Sequence, residues 1–173
     1  TNGKRLRQGI PNIGEWFSAH SDYETVYVGK WHLPKTYTYD VPGFEVLHTG
    51  IGGQGNLCDT SIAQAAEARL RRPGGSRPFL MIVSFMQPHD ICEWLRLNRD
   101  DVELRYPEIA DQLPPLPENF EFDFAEPSFV KRKRREREPH VGKWTEAHWR
   151  YYLWSYYRHI EQVDAELGRL LRA

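Results

Sequence analysis

The feature that most limits the fold is an almost unbroken apolar run at residues 79–85, in which only Ser84 is polar. Such a run is typical of a strand that is covered on both faces, as the strands of parallel sheets are. Residues 24–28 have the same strand character, and residues 44–48 form a weaker candidate. Because helical segments alternate with these runs along the chain, the order of elements favours an α/β fold.

Three helical segments accompany the strands. A short amphipathic helix is predicted to begin near Pro11, and a second helix is predicted to run from a cap at Asp59, Thr60 or Ser61 to about Arg71. The clearest periodicity lies in residues 144–172, which predict one long helix. Its apolar stripe is expected to pack as a single face formed by Trp149, Leu153, Tyr156, Ile160, Val163, Leu167 and Leu170.

Residues 91–143, between the last strand and the long helix, are interpreted as an irregular inserted segment. They are rich in proline and charge, and residues 113–117 read Leu-Pro-Pro-Leu-Pro. A connection of this length inside a compact domain is usually a functional or wrapping segment. The chain has 173 residues, which is the size of a single domain.

The balance of charge argues against two classes of partner. With 23 Lys and Arg against 24 Asp and Glu, the composition predicts neither nucleic-acid binding nor attachment to a membrane surface. No apolar run approaches the roughly 20 residues of a membrane-spanning helix. One strongly basic run, from Lys131 to Arg137, is typical of a solvated surface segment. If it has a function, it would contact nucleic acid or a sulfated polyanion such as heparin, of which the sulfated polyanion is the better candidate. Cys58 and Cys92 are expected to be two separate buried thiols.

Cationic side chains and imidazoles follow two of the predicted strands. Lys30 and His32 come directly after the first strand, and His89 follows the apolar run at residues 79–85. In an open α/β sheet, ligands bind beyond the carboxyl ends of the strands, so these three side chains are expected to meet at one crevice. An ammonium group and two imidazoles there would bind a small tetrahedral anion or stabilise the charge of its transition state.

Residues 22–32 resemble the second signature of the sulfatase family, which is roughly Gly-Tyr-x-Thr-x-x-x-Gly-Lys-Trp-His. Further matches follow in the order of the family and cover nearly the whole chain, at residues 10–16, 78–89, 116–120 and 151–171. The resemblance implies an alkaline-phosphatase-like parallel-sheet domain with flanking helices. Residues 1–173 would then form part of the N-terminal catalytic domain of a sulfatase, incomplete at both ends.

The same resemblance implies hydrolysis of sulfuric esters and assigns a role to each of the three side chains. Lys30 would contact a sulfate oxygen and neutralise the leaving group, and His89 would bind the sulfate or protonate the leaving oxygen. His32 would interact with the hydroxyl groups of formylglycine, the nucleophile that the family makes from a Cys or Ser. A divalent cation, usually calcium, holds the sulfate in sulfatases.

The sequence departs from the family pattern at the nucleophile. The first signature, Cys/Ser-x-Pro-Ser-Arg, is absent, and neither Cys58 nor Cys92 has that context. We expect the family's metal ligands to lie outside the chain as well, so that this chain contains no metal site. The chain is therefore interpreted as an internal piece of a sulfatase, inactive by itself, whose substrate is a small-molecule or glycan sulfate ester.

Two alternatives remain open from the sequence. The same fold could hydrolyse a phosphate mono- or diester, as relatives in the superfamily do. The chain could instead be a non-catalytic protein that binds sulfated polyanions. Sulfatases are usually periplasmic, secreted or lysosomal, so the resemblance implies one of these compartments. The residues of this chain do not themselves indicate a compartment.

Overall fold

The computed structural model forms two compact units. One comprises Thr1–Asp90 and Ile160–Ala173, and the other comprises Ile91–His159. The structure describes residues 7, 9–31, 40–48, 55–73, 75–100, 105–121 and 125–173. Among the described helices, none combines the length and the apolar character that a membrane span requires.

The first unit is built on a parallel sheet of three strands. β1 is Glu24–Gly29, β2 is Glu45–His48 and β3 is Phe79–Ser84, in the spatial order β2-β1-β3. Both pairings are parallel, and Gly29 at the end of β1 lies opposite Ser84 at the end of β3. The three predicted strands and the α/β fold are therefore confirmed.

The core of the first unit lies between the central strand and a helix, α2, which spans Gly55–Leu70. Val26 and Val28 of β1 and Ile62 and Ala66 of α2 are fully buried and pack in one cluster. β3, which was expected to be covered on both faces, is only half-buried. The reason is its place at the edge of the described sheet, whereas β1 has a neighbouring strand on each side.

The predicted first helix is confirmed as α1, Ile13–His20, and its N-terminus has a capping box. The Asn12 side chain accepts hydrogen bonds from the N–H groups of Gly14 and Glu15, at 2.8 and 3.1 Å. The Glu15 carboxylate in turn accepts one from the Asn12 N–H at 2.8 Å. Because this reciprocal pair satisfies backbone donors that the helix leaves unpaired, it fixes where α1 begins.

The second helix begins earlier than the sequence predicted. α2 starts at Gly55 rather than near residue 60, so Asp59 lies inside the helix and does not cap it. Its side chain instead accepts hydrogen bonds from the backbone after β3. A buried carboxylate needs such partners because it cannot be hydrated by solvent. The predicted loop at residues 50–54 lies outside the described residues.

The second unit corrects the interpretation of residues 91–143 as irregular. It contains α3 at Ile91–Asn98, a 3₁₀ helix at Pro107–Gln112 and α4 at Ser128–Val141. The charged residues that resembled a loop are strong helix formers. In α4 they also pair along the helix surface, as Lys133 does with Glu136 at 2.6 Å.

The long helix is confirmed as α5, Glu146–Leu171, but its predicted stripe is only partly buried, with Leu170 packed against the core of the first unit. The buried residues are His148, Tyr151 and Ser155, whereas Ile160 and Leu167 are exposed. Aromatic neighbours select this face, because the ring of Trp94 packs edge-to-face on Tyr151 with 5.2 Å between the ring centroids.

The two cysteines differ in their surroundings, which corrects the expectation that both are buried. Cys58 on α2 is buried, whereas Cys92 on α3 is exposed. The two thiols form no disulfide with each other.

Candidate functional site at the carboxyl edge of the sheet

The junction between β1 and Lys30 is fixed by the backbone. Gly29 has φ +105°, and a Cβ atom there would lie 2.1 Å from the carbonyl oxygen of Ser84. Only glycine combines this conformation with so close an approach. The N–H of Lys30 then donates a 2.8 Å hydrogen bond to the same Ser84 oxygen. The ladder between β1 and β3 thus continues to Lys30 and places it at the carboxyl edge of the sheet.

Two aromatic side chains, Tyr27 and Trp31, also stabilise the junction between β1 and Lys30. The Tyr27 hydroxyl donates a 2.5 Å hydrogen bond to the carbonyl oxygen of Lys30. Burial raises the pKa of Tyr27, and a hydrogen bond with Ser84 opposes that rise. Trp31 packs edge-to-face on the Tyr27 ring, with centroids 5.4 Å apart. These contacts fix the Lys30 backbone while its side chain stays half-buried at the edge.

His89 follows β3 on a short, tightly held connection. Met86 and Gln87 are buried, the bond between Gln87 and Pro88 is cis, and the N–H of His89 donates to the Met86 carbonyl at 3.0 Å. His89 itself is exposed. The backbone is therefore anchored by buried residues, and the imidazole is left accessible to a ligand from solvent.

Asp59 anchors this connection to α2, a role that the sequence interpretation missed. Its carboxylate is 4% exposed and accepts the N–H groups of Met86 and Gln87 at 2.7 and 2.9 Å. Burial raises the pKa of Asp59, and the two hydrogen bonds oppose that rise. The available signal was its helical spacing, because Asp59 precedes the buried Ile62 and Ala66 by three and seven residues and so shares their face.

Gln87 continues the network away from Asp59. Its side-chain amide donates to the carboxylate of Asp90 at 3.0 Å and to the side-chain oxygen of Gln162 at 3.1 Å. The connection between β3 and His89 also packs closely against the start of α2, because a Cβ atom at Gly55 would lie 2.6 Å from Cγ of Gln87. The residues that precede His89 are thus held by side chains from both the first and the last part of this unit.

The charge of Lys30 reaches the start of α2. Burial raises the pKa of the Cys58 thiol, the charges of Asp59 and Asp90 raise it further, and the ammonium of Lys30 opposes this rise. A catalytic cysteine needs the opposite, a lowered pKa that favours the thiolate. Cys58 is therefore unsuited to act as a nucleophile, in agreement with its lack of the family's first signature.

The structure brings two of the three predicted site residues to the same edge of the sheet. Lys30 directly follows β1, and His89 follows the neighbouring parallel strand β3 after the connection that Asp59 holds. His32 lies outside the described residues. The meeting of the Lys30 and His89 side chains around one ligand stays a prediction.

The described residues offer no site for the divalent cation of the family. Within the described ranges, no three His, Cys, Asp or Glu side chains are grouped so that they could hold a metal ion. The described side chains at this edge therefore do not fit a resident calcium. They fit an anion, since the accessible groups at the ends of β1 and β3 are an ammonium and an imidazole.

Comparisons with known proteins identify the family of this chain and its fold. The family model Sulfatase matches residues 1–173. A Delta 4,5-hexuronate-2-O-sulfatase from Bacteroides thetaiotaomicron is 27% identical over 98% of this chain, which spans 36% of that protein. A crystal structure from Bacteroides thetaiotaomicron VPI-5482, described as that of a sulfatase, covers 96% of this chain with a TM-score of 0.72 and 27% identity. This chain covers 38% of that structure.

Proposed function

The chain belongs to the sulfatase family over residues 1–173, and from that premise we propose that it forms part of an enzyme that hydrolyses sulfuric esters. The observation that carries the proposal is the alignment of β1 and β3. Gly29 lies opposite Ser84, so Lys30 and the connection to His89 leave the sheet at the same edge. In open α/β sheets this edge is where ligands bind.

We assign Lys30 to the sulfate group. Its ammonium would contact a sulfate oxygen and offset the negative charge that grows on the leaving oxygen as the ester bond breaks. A fixed charge of this kind needs no reorganisation during the reaction, and a partly desolvated site strengthens it. The hydrogen bonds around Lys30, from Tyr27 and to Ser84, supply the fixed backbone that this role requires.

We assign His89 to the leaving oxygen or to the sulfate itself. An imidazole can donate a proton to an oxygen that departs with negative charge, which is ordinary general-acid catalysis. The exposed ring and the anchored backbone of His89 suit a group that must reach a bound ligand. By the family pattern, His32 would assist the release of sulfate.

Formylglycine and calcium belong to this proposal only as properties of the family. The nucleophile would supply the covalent step in the longer enzyme, and the described residues of this chain do not fit the cation. The roles of Lys30 and His89 involve only anion binding and proton transfer. The 173-residue chain alone is therefore expected to release no sulfate from an aryl sulfate, and turnover by it would contradict this assignment.

For the substrate, we propose a sulfated saccharide that contains a uronic acid. The support is the relative that is 27% identical over almost the whole chain and is named for a hexuronate 2-O-sulfate. An unsaturated uronide with a 2-O-sulfate group is thus the first compound to test.

The test uses the longest natural protein that contains this chain. We expect that protein to release sulfate from the 2-O-sulfated uronide, and Lys30→Ala and His89→Ala each to lower kcat/KM by about 100-fold or more. Arg72→Ala, which removes an exposed charge two residues after the end of α2, is the matched control and should leave the rate unchanged.

The two remaining functions give different results in the same experiment. Cleavage of phosphate esters without cleavage of sulfate esters would identify a phosphate hydrolase. Binding of sulfated glycans without any turnover, unaffected by Lys30→Ala, would identify a non-catalytic binder. Either result overturns the proposed function.

A further inference from the structure

The second unit contains a groove with a basic rim and an aromatic floor. It has a volume of about 780 Å³ and lies between one face of α4 and the start of α5. Five cationic side chains line it against one carboxylate, that of Glu138. The cationic residues are Lys131, Lys133, Arg134, Arg135 and Arg137.

The charges in this groove are only partly neutralised. Lys133 pairs with Glu136 at 2.6 Å, and Arg134 forms two hydrogen bonds to Glu126 at 2.6 and 3.0 Å. Within the part of the chain that the structure describes, Arg135 makes no ion pair. Arg137 shares the Glu136 carboxylate, whose pKa is lowered by Lys133 first and also by Arg132 and Arg137. Since the whole chain has a formal charge of −1, the excess of positive charge is a local property of this surface.

The floor of the groove is apolar. Trp144 and Trp149 pack edge-to-face with ring centroids 4.8 Å apart, and Phe120 packs against Trp149 at 5.5 Å. Trp149 is half-buried, so part of its ring remains accessible. The C–H groups on one face of a pyranose ring form an apolar surface that packs well on an indole. Basic groups around such a floor would bind the sulfates or carboxylates of the same sugar.

A second hollow adjoins the first and extends the basic surface. It has a volume of about 540 Å³ and shares Arg137, Val141 and Trp149 with the groove. Arg96, Arg99 and His140 also line it. Two adjoining hollows with shared cationic and aromatic residues suit a linear chain of several sugars better than a single small anion.

We propose that this surface, the α4 groove, binds a sulfated segment of a linear polysaccharide. The choice of a sulfated glycan rests on the proposed function, because an enzyme for sulfated saccharides meets such chains. The aromatic floor and the charge of −1 for the whole chain favour a glycan over nucleic acid, for which basic charge usually dominates. The groove is lined entirely by residues of the second unit.

The test measures binding of a heparin-derived octasaccharide to the 173-residue chain by calorimetry, beside its chemically desulfated form. We expect the sulfated form to bind and Arg135→Ala with Arg137→Ala to weaken binding about tenfold, since each exposed ion contact contributes roughly two- to fivefold. The matched control is Arg71→Ala with Arg72→Ala, which removes the same charge from the end of α2 and should change the affinity by less than about twofold.

Hydrogen exchange locates the contact independently of the variants. The octasaccharide should protect residues 128–142, and the affinity should fall steeply with added salt because small counterions are released. Equal affinity for the double variant and its control, or protection elsewhere only, would overturn the proposal. Tighter binding to polyuridylate or to phosphatidylserine vesicles than to the octasaccharide would also overturn the proposal.

The failure of this proposal can be told apart from failure of the proposed function. Octasaccharide binding by the 173-residue chain needs no turnover, so it is measured independently of sulfate release. If the longer protein releases no sulfate but the chain still binds the octasaccharide at α4, only the proposed function fails. If sulfate is released but Arg135 and Arg137 do not matter for binding, only the α4 groove proposal fails.

Discussion

The two units of this chain hold their important side chains by different means. In the first unit, the backbone positions Lys30, because the β1–β3 ladder and Gly29 fix where this residue leaves the sheet. In the second unit, ring packing joins Trp94 of α3 to Trp144 and to Tyr151 of α5, while charge pairs lie along the surface of α4. A strand followed by a short motif can be recognised in a sequence, whereas ring contacts between distant residues cannot. The difference also predicts that the two units respond to different substitutions.

The largest effect is expected from Gly29→Ala in the first unit. The new Cβ would lie 2.1 Å from the Ser84 oxygen at a residue with φ +105°, so strain and overlap together should cost about 4 kcal/mol of unfolding free energy. Urea denaturation measures the loss. Hydrogen exchange should rise in β1 and β3, while the aromatic circular dichroism of the second unit is retained.

Gly75→Ala is the matched control for this substitution. No atom lies within 4 Å of a Cβ built at Gly75, so the stability should change by less than about 0.5 kcal/mol. Equal losses for both glycines would show that the Gly29 junction does not fix the edge. A loss of structure in both units at once would break the comparison between them.

The next largest effect is expected from Trp144→Ala in the second unit. Trp144 is buried and packs against Trp94 and Trp149, so truncation should cost about 3 kcal/mol. Trp144→Phe keeps a ring but removes the indole N–H, which donates to the Arg99 carbonyl at 3.2 Å, and should cost about 1 kcal/mol. Thermal unfolding followed by near-ultraviolet circular dichroism measures both.

The comparison is sharpened if Trp144→Ala leaves the exchange rates of β1 and β3 unchanged. Faster exchange throughout the sheet would show instead that ring packing in the second unit also supports the first. The loss of unfolding free energy in Trp144→Phe measures mainly the indole hydrogen bond. The additional loss in Trp144→Ala measures the ring packing.

Asp59→Asn tests the side-chain support of the His89 connection and should cost less stability than either Gly29→Ala or Trp144→Ala. An amide can accept through only one atom, so one of the N–H groups of Met86 and Gln87 loses its partner, at a cost of about 1 to 2 kcal/mol near neutral pH. Amide exchange at Met86 and Gln87 should accelerate, and Asp59→Glu should not restore the geometry because its longer side chain moves the carboxylate.

The pH dependence of this variant has a definite sign. Because burial raises the pKa of Asp59, the folded chain binds this proton at pH values where the unfolded chain has released it. The stability of the wild type relative to Asp59→Asn should therefore be largest at and below the usual pKa of Asp, and it should fall as the pH rises from there through the raised pKa. Urea titrations from about pH 4 to about pH 8 measure this difference. A difference that grows with pH would contradict the assignment.

Sequence reasoning was most successful where the structure is local. The apolar runs at residues 24–28 and 79–85 gave the correct strands, and the periodicity of residues 144–172 gave α5. The position of Lys30 at a strand end followed directly from these runs. Its motif was also specific enough to indicate the family that the whole chain matches.

The parts that sequence reasoning missed depend on distant partners. The Asp59 carboxylate meets backbone 27 residues further along the chain. Its helical spacing to Ile62 and Ala66 indicates a buried face, but not which distant partner it meets. The buried face of α5 contains Tyr151 because Trp94 packs there, so the simple apolar stripe was misleading. In residues 91–143, proline and charge hid the helical propensity of α4, which becomes evident only when its ion pairs are seen.

The central claim is that Lys30 and His89 bind one anion at the carboxyl edge of β1 and β3. The most direct measurement is a crystal structure of the longest natural protein that contains this chain, grown with inorganic sulfate. The account predicts one sulfate ion with an oxygen within about 3 Å of both the Lys30 Nζ atom and an imidazole nitrogen of His89. A sulfate bound at this edge without either contact, or side chains of Lys30 and His89 that face apart, would contradict it.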